Sequence, residues 1–300
     1  MAVPDLPSFT RLLGVNVLHR SPERTEAELA VREDLCNRRG VLHGGAVMAL
    51  GDTLGGMTAS ISLPDGGRTA TYFLNKRIGE IYAVGVDMDD PYNVYAGLQD
   101  HDSWKGPSNS ISGRITLEHW TTVGPGDGMY NQVDPTDSRW VYNTREMGNH
   151  GRFDQQTGQR TVIAPPASPG GPPLRYIWQT PIVLSPHNPQ IVYAGSQFLF
   201  RSLNRGNAWE AISGDLTTND PTKCGRGSGN VPYCAITTIS ESPGRAGVIW
   251  IGTDDGKVHV TQNHGAAWTV VTALIAATGG PADRYVSRVF ASPHDASTAF

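Results

Sequence analysis

Residues 181–195, PIVLSPHNPQIVYAG, decide the fold predicted for most of this chain. Two short runs of β-branched and aromatic residues, at 182–184 and 191–194, flank a segment rich in Ser, Pro and Asn. Such runs are typical of strands, and the residues between them favour a tight turn. The stretch therefore predicts two antiparallel strands joined by a turn.

The same plan recurs along the chain with a nearly constant period. Copies occupy residues 83–97, 130–144, 237–252 and 287–300, and the equivalent positions are Val86, Val133, Leu184, Glu241 and Ala291. Their spacings are 47, 51, 57 and 50 residues. A period near 50 with several short strands per unit is typical of propeller blades. Because the sequence stops within the fifth copy, we expect a mainly β, incomplete β-propeller of about four and a half blades.

Composition agrees with a turn-rich fold and excludes several classes of protein. The chain has 300 residues, among them 35 Gly and 21 Pro, which favours many turns over long helices. Its net charge of −4 provides no basic surplus, so we expect no nucleic-acid partner. No run of apolar residues is long enough for a membrane span, and no secretory signal opens the chain. As written, the chain is expected to start in the cytoplasm, without a membrane partner.

We call the equivalent repeat positions anchors. Two further segments, SLNRGNAW at 202–209 and TQNHGAAW at 261–268, follow the anchors Leu184 and Glu241 at similar distances. They resemble the Asp box, S/T-x-D-x-G-x-x-W, of bacterial-neuraminidase-type repeats, with Asn in place of Asp. Physically such a box is a hairpin turn, in which a short polar side chain caps the backbone and Gly supplies a positive φ. The Trp packs between sheets. We therefore expect a structural device and not a catalytic one.

The wider sequence resembles the large bacterial sortilin-like, glycosyl-hydrolase-like propeller proteins. The resemblance covers residues 73–300 and is carried by the segments at 79–110, 126–137 and 199–213. It implies an exported propeller that binds a glycan or a protein. Members of the group are compared with xyloglucan-cleaving endoglucanases or sialidases, so hydrolysis is a further expectation of the resemblance.

A glycosidase needs two carboxylates that face one bond, about 5 to 9.5 Å apart depending on mechanism. Asp100, Asp127 and Asp254 are the catalytic candidates at strand ends, with Asp102 and Asp255 beside them. The alternative for each is a turn or cap residue. No pattern among the arginines identifies the triad that a sialidase needs. We expect no cofactor and no metal in this part.

The N-terminal part has a different pattern, with one predicted helix. An apolar stripe with helical spacing is formed by Val47, Leu50, Leu54, Met57 and Ile61. Asp52 lies on the opposite side of that helix. Gly44 and Gly45 stand at its start, where unpaired N–H groups could polarise a carbonyl. The alternative is a turn followed by a solvated helix charge. The preceding segment, 24–31, predicts a strand.

Asn37-x-x-Gly40-x-x-His43-Gly44-Gly45, followed by Asp52, resembles the central segment of phenylacetate-type hot-dog acyl-CoA thioesterases. The resemblance implies that Asp52 acts as base or nucleophile and that Gly45 or Gly44 polarises the thioester carbonyl. It further implies that Asn37 and His43 orient the substrate, a coenzyme A thioester, in a homodimer. The match ends near Thr71, before the remaining strands of that fold. We therefore predict a truncated α+β hot-dog fragment at 1–72 and the propeller at 73–300.

The cysteines separate the two parts further. In an exported propeller, Cys224 and Cys234, which bracket a Gly-rich loop, are expected to form a disulfide; the alternative is two thiols. Cys36 has no expected partner, and no spacing indicates a zinc site. The main hypothesis is a chimera of two partial domains, and no cellular compartment is predicted for it. The alternative is an acyl-CoA thioesterase whose missing strands come from residues 72 to about 125.

Overall fold

The computed structural model describes residues 14–20, 25–35, 80–111, 113–224, 233–280 and 284–300. The chain divides into two compact units, Met1–Gly79 and Glu80–Phe300. The predicted boundary between residues 72 and 73 falls outside the described residues and stays a prediction.

In the first unit the described residues form one antiparallel hairpin and one short helix. Strand β1, Val15–Arg20, pairs with β2, Thr25–Leu29, and a 3-10 helix follows at Glu33–Leu35. The strand predicted at 24–31 is therefore confirmed at its centre. The predicted helix from about 46 to 62, on which the hot-dog interpretation depends, lies outside the described residues.

The second unit is a β-propeller of four blades, each an antiparallel four-stranded sheet with its strands in chain order. Blade 1 contains β3 Ile81–Val86, β4 Asn93–Leu98, β5 Ser103–Pro107 and β6 Thr121–Gly124. Blade 2 contains β7 Asn131–Val133, β8 Trp140–Arg145, β9 Asn149–Asp154 and β10 Arg160–Val162. Blade 3 contains β11 Ile182–Leu184, β12 Val192–Gly195, β13 Leu199–Ser202 and β14 Glu210–Ala211. Blade 4 contains β15 Ile236–Glu241, β16 Ile249–Thr253, β17 Val258–Thr261 and β18 Thr269–Val270.

Short helices and a fifth repeat complete the described part of this unit. Two 3-10 helices occupy Leu117–His119 and Glu146–Gly148, and α1 spans Thr272–Ala277. After blade 4, an antiparallel bridge joins Ala291 to Ala299. The mainly β propeller predicted from the repeats is confirmed as four full blades, followed by the first antiparallel pair of a fifth repeat.

The turn between the first and second strands repeats five times, as the spacing predicts. In each copy, the residue after the first strand donates its N–H to the carbonyl of the residue that opens the second strand. The five bonds are Asp87 to Asn93 (3.3 Å), Asp134 to Trp140 (3.0 Å), Ser185 to Ile191 (3.0 Å), Ser242 to Val248 (2.8 Å) and Ser292 to Thr298 (2.9 Å). The Asp or Ser side chain at this position also accepts turn N–H groups, so a short polar residue is favoured there.

The two Asp-box segments have the geometry expected of them. Asn204 Oδ1 accepts the N–H of Ala208 at 2.8 Å, and Asn263 Oδ1 accepts that of Ala267 at 2.9 Å. The glycine of each turn has a positive φ, 84° at Gly206 and 94° at Gly265. Each tryptophan reaches the preceding blade's chain, since the indoles donate to the carbonyls of residues 163 and 212 at 2.7 and 3.0 Å. The two boxes therefore fasten the outer hairpin of blade 3 to blade 2 and that of blade 4 to blade 3.

The core lies between blades, and one aromatic position builds each junction. In each repeat, the second strand opens with the residue whose carbonyl accepts the turn hydrogen bond. The aromatic position lies two residues after it and is occupied by Tyr95, Tyr142 and Tyr193 in blades 1 to 3. Each ring is fully buried and packs against the first two strands of the next blade. Tyr95, for example, clusters with Val133 and Val141. Burial of these rings holds the blades together.

Candidate functional site

The loops of the propeller gather at two opposite ends, and one end carries the candidate site. In an antiparallel meander, the start of the first strand, the turn between the second and third strands, and the end of the fourth lie at one edge. We call this edge of the second unit the upper end. It includes the turns at 99–102, 145–148, 196–198 and 254–257, and the segments that lead into each first strand.

An aromatic residue with a polar atom stands at the entrance to every first strand. The five residues, which we call the aromatic set, are Tyr82, Tyr130, Trp178, Tyr233 and Tyr285. They precede their anchors by three to eight residues. All five therefore belong to the upper end, although they are far apart in the chain.

Two members of the aromatic set, from blade 1 and from the segment before blade 3, make a direct contact. Trp178 Nε1 donates to the hydroxyl of Tyr82 at 3.1 Å, between residues 96 apart in sequence. The neighbouring Gln179 donates to the backbone carbonyl of Tyr82 at 3.3 Å. Burial raises the pKa of Tyr82; the Trp178 hydrogen bond opposes this, and the carboxylates of Asp127, Glu80 and Asp100 add to it. Three carboxylates therefore contribute negative charge at Tyr82.

The other three members, Tyr130, Tyr233 and Tyr285, form a second group that is linked electrostatically. The pKa of Tyr285 is raised by partial burial, by the negative charge of Asp254 and by the phenols of Tyr130 and Tyr233. The pKa of Tyr130 is likewise raised by burial, while the Arg288 guanidinium opposes the rise. The hydroxyl of Tyr233 donates to the carbonyl of Asp254 at 2.6 Å. These rings therefore share one electrostatic environment with a carboxyl and a guanidinium.

A cavity of about 360 Å³ lies along the first strands, and Tyr130 is the member of the aromatic set that lines it. Its wall combines apolar residues of β11 and β15 with the polar side chains of Tyr130, Gln132, Ser240, Glu241 and Arg288. A cavity of this size, with polar groups among apolar residues, can hold a small ligand.

The structure brings together two of the three predicted carboxylates, Asp100 and Asp127. The N–H of Asp100 donates to Asp127 Oδ1 at 2.7 Å, and partial burial and the Asp127 charge raise the pKa of Asp100. The adjacent Asp102 accepts the N–H of Gly126 at 3.1 Å. Asp100 and Asp102 both have positive φ, 57° and 65°. All three therefore tie together two loops of blades 1 and 2.

Asp254 and Asp255 are buried structural caps. Asp254 Oδ1 accepts the N–H groups of Cys234 and Ala235 at 3.0 and 2.9 Å. Burial raises the pKa of Asp254 to about 6, and the neighbouring Asp255 adds to the rise. Asp255 accepts the hydroxyls of Thr253 and Thr218 at 2.5 and 2.6 Å. The turn-and-cap alternative considered for these residues therefore describes their contacts.

The remaining predictions divide between described and undescribed residues. Asn37, His43, Gly45 and Asp52, the four residues of the thioesterase hypothesis, lie outside the described residues, as does Cys36. Their roles stay predictions. The disulfide between Cys224 and Cys234 is present and closes the loop before β15. Arg175 secures the same loop, because it donates to the Cys234 carbonyl at 2.9 Å and pairs with Asp215 at 2.7 Å.

His150, at the start of β9, predicts an acid-dependent loss of stability. The ring is buried, packs edge-on against Tyr176, and has no hydrogen-bond partner among the described residues. Burial lowers the pKa of His150 to about 3, so the folded state holds it neutral while the unfolded state protonates near 6.5. Its contribution to stability is therefore complete above pH 6.5 and is lost as pH falls toward 3. Relative to His150→Leu, we expect the chain to lose about 2 kcal/mol between pH 6.5 and 4.5.

Chemical denaturation of both proteins across that pH range measures the difference. The raised pKa of Asp254 has the opposite effect, since it adds stability as the pH falls from about 6 to 4. Asp254 is present in both proteins, so its contribution cancels in the difference between them. His294→Leu, at an exposed position, is the matched control and is expected to show no such loss. A pH-independent difference between the chain and His150→Leu would contradict the burial of a neutral imidazole.

In the described part of the chain, no group of three or more His, Cys, Asp or Glu side chains is placed to hold a metal ion. No helix in those same ranges has the length and apolar character needed to cross a membrane.

Reasoning from the sequence identified carboxylates as site candidates and missed the aromatic set and Arg288. A signal for the set existed, because aligning the five repeats on their anchors leaves a Tyr or Trp shortly before each one. Arg288 has no counterpart in the other repeats, so its position beside Tyr130 depends on the stacking of the blades. Against known proteins, no family model matches this chain. No curated protein is significantly similar to it. The molecule is therefore characterised by its fold, a four-bladed β-propeller.

Proposed function

We propose that the propeller of residues 80–300 is a binding module that takes a glycan at its upper end. The observation that carries this proposal is the aromatic set, one Tyr or Trp near the start of each of the four first strands and of the fifth repeat. Tyr and Trp combine a flat apolar ring with a polar tip. The ring can stack on the apolar face of a sugar while its hydroxyl or N–H bonds a sugar hydroxyl.

The size of the cavity favours a small or linear ligand over a folded protein. A volume of about 360 Å³ falls within the usual range of small-ligand sites. A protein partner, the other expectation from the resemblance, would need roughly 800 Å² of complementary surface on each side. A glycan chain needs only a few rings and hydrogen-bonding groups.

The charges around Tyr82 favour a neutral glycan. Glu80, Asp100 and Asp127 all contribute negative charge there. Arg288 is the cation that acts on Tyr130. An anionic sugar would meet repulsion from three carboxylates, whereas neutral hydroxyls can donate to them. Sialylated ligands are therefore expected to bind more weakly than neutral ones.

Binding is proposed ahead of hydrolysis because the candidate carboxylates already have structural partners. Asp254 and Asp255 accept backbone N–H groups and hydroxyls, and Asp127 accepts the Asp100 N–H. A general acid or nucleophile has to reach the glycosidic bond. The contacts of these carboxylates favour holding loops in place instead.

Tyr285→Ala tests the glycan site with little risk to the fold, since this ring is half exposed at the upper end. Using a neutral xyloglucan oligosaccharide as the probe, we expect the chain to bind and the variant to bind at least about tenfold more weakly, which corresponds to about 1.4 kcal/mol. Isothermal titration calorimetry measures both, with a sialylated oligosaccharide as the anionic comparison.

Tyr92→Ala is the matched control for Tyr285→Ala. Tyr92 is exposed to a similar degree but lies in the first turn of blade 1, at the opposite end of the propeller. Its removal is expected to leave glycan binding unchanged. Equal losses in both variants, or no binding of either oligosaccharide by the chain, would contradict the proposal.

Two finer expectations from the sequence remain proposals. Membership in the sortilin-like, glycosyl-hydrolase-like group is supported by the Asp-box turns and by the disulfide, which is typical of exported proteins. The thioesterase hypothesis rests on sequence resemblance alone. Its test is hydrolysis of an acyl-CoA by the chain and by Asp52→Asn, and equal rates would dismiss a role for that carboxylate.

A further inference from the structure

Three polar side chains that line the cavity along the first strands are not bonded to the rest of the described chain. Two of them, Tyr130 and Gln132, lie two residues apart at the start of β7, so their side chains share one face of the strand. Asn131, between them, donates its amide to the Met129 carbonyl at 3.3 Å. Within the described ranges, neither the Tyr130 hydroxyl nor the Gln132 amide has a hydrogen-bond partner. Both therefore remain available to a ligand in the cavity.

Arg288 is the third of these side chains. It is exposed, lines the same cavity, and forms no ion pair or side-chain hydrogen bond with another described residue. It precedes its anchor by three residues, as Tyr130 does, so the two lie at the same level of the first strands. In agreement with this placement, the Arg288 guanidinium opposes the rise that burial causes in the pKa of Tyr130. Gln132 lies two residues further along, about 7 Å from that level.

Glu241 adds a buried carboxyl to the cavity wall, at the anchor position of blade 4. The anchors of the other repeats are apolar: Val86, Val133, Leu184 and Ala291. Glu241 is 6% exposed, and its Oε1 accepts the N–H of Gly247 at 2.8 Å. Its Oε2 has no hydrogen-bond partner among the described residues, although the Tyr193 hydroxyl lies beside the carboxyl. Because a buried polar atom without a partner is costly, this oxygen favours a ligand that can donate to it.

These groups together select the chemistry of the ligand. Gln132 and Arg288 offer donors, Glu241 offers an acceptor, and β11 and β15 supply apolar wall. A ligand carboxylate would suit Arg288 but would bring a second acceptor to Glu241, and a ligand ammonium would meet the guanidinium. A secondary amide with a methyl group suits all of them, because its carbonyl accepts, its N–H donates and its methyl packs on the apolar wall.

We propose that this cavity binds the acetamide group of an N-acetylated sugar. The inference rests on the proposed function, since it narrows the ligand class of the glycan site. Tyr130 connects the two, because it belongs to the aromatic set and also lines the cavity. Its ring can stack on the sugar while the Gln132 amide donates to the acetamide carbonyl. A site built to bond a polar group discriminates against analogues that lack it, so Gln132 and Arg288 determine specificity.

Three trisaccharides with the same backbone test the inference. Tri-N-acetylchitotriose carries an acetamide on each sugar, chitotriose carries an amine at the same place, and cellotriose carries a hydroxyl. Isothermal titration calorimetry with the whole chain is expected to show that the acetylated sugar binds at least about tenfold more tightly than either of the others, because only it satisfies both the donors and the acceptor.

Two variants assign this preference to the cavity. Gln132→Leu keeps the approximate size of the side chain and removes its donors, and Arg288→Met removes the guanidinium at an exposed position. Each is expected to lower the preference for the acetylated sugar over cellotriose by at least about threefold, with circular dichroism showing unchanged folding. Gln159→Leu is the matched control, since Gln159 is exposed in the turn between β9 and β10, at the opposite end of the blade. It is expected to keep the full preference.

The outcomes separate this inference from the proposed function. Binding of the acetylated sugar and cellotriose with equal affinity would overturn the acetamide site and leave the glycan site standing. Tightest binding of chitotriose would overturn it as well, because the cavity would then select a cation. A preference that survives in both cavity variants would place the acetamide elsewhere. If neither these sugars nor the xyloglucan oligosaccharide bind, the proposed function itself is contradicted.

Discussion

Truncating Tyr193 to alanine is expected to lower the free energy of unfolding of the propeller by about 3 to 5 kcal/mol. The ring is 1% exposed and lies at the junction between blades 3 and 4, where it packs among Leu199, Ile239, Ile249 and Ile251. Removing it leaves a cavity at a junction that shifts little, because strands on both sides are held in ladders. Urea denaturation followed by tryptophan fluorescence measures the loss.

Two further variants separate packing from other effects of the Tyr193 substitution. Tyr193→Phe keeps the ring and removes only the hydroxyl beside Glu241, so we expect a cost of about 1 kcal/mol. Tyr92→Ala removes a half-exposed ring from a turn and is expected to cost less than about 1 kcal/mol. If Tyr193→Ala cost no more than Tyr92→Ala, the Tyr193 ring would not hold the blades together.

Arg205→Met is expected to cost about 3 kcal/mol, because it leaves a buried carboxylate without its cation. Arg205 lies in the first Asp-box turn and pairs with Asp134, whose side chain is fully buried in the first turn of blade 2. Burial alone would raise the pKa of Asp134, but hydrogen bonds from Thr136 and Arg205 lower it. The guanidinium also lies 5.6 Å from the centre of the Trp140 ring.

Arg201→Met is the matched control for Arg205→Met. Arg201, on the strand that leads into the same turn, pairs at 2.7 Å with Glu210, whose side chain is 51% exposed. A pair with one exposed member contributes little, so we expect a cost below about 1 kcal/mol. Chemical denaturation of the two variants gives the comparison. Equal costs would show that the Asp134 pair does not link blades 2 and 3.

The repeats show how much of this fold could be predicted from sequence. The turn after each first strand depends on an Asp or Ser at one position, and the Asp box depends on a polar residue, a Gly and a Trp within eight residues. Both are local devices, in which the bonding groups lie close together in the chain. Their number and spacing therefore indicated blades, and the structure confirmed them.

The candidate site could not be predicted in the same way. Asp254 resembled a free carboxylate at a strand end, but the loop before β15 brings the N–H groups of Cys234 and Ala235 onto it. Tyr82 and Trp178 are 96 residues apart, and nothing near either residue in sequence indicates that they meet. Such contacts depend on how each blade stacks on the one before it.

By itself, therefore, the sequence determined the repeat, the strands, the capped turns and the cysteines available to form a disulfide, because neighbouring residues specify each of them. Only the tertiary structure decided which side chains share the upper end, which carboxylates serve as caps, and which apolar residues surround the tyrosine at each junction between blades. The physical reason is that these properties arise from packing between blades, where burial and pairing join residues about one repeat or more apart.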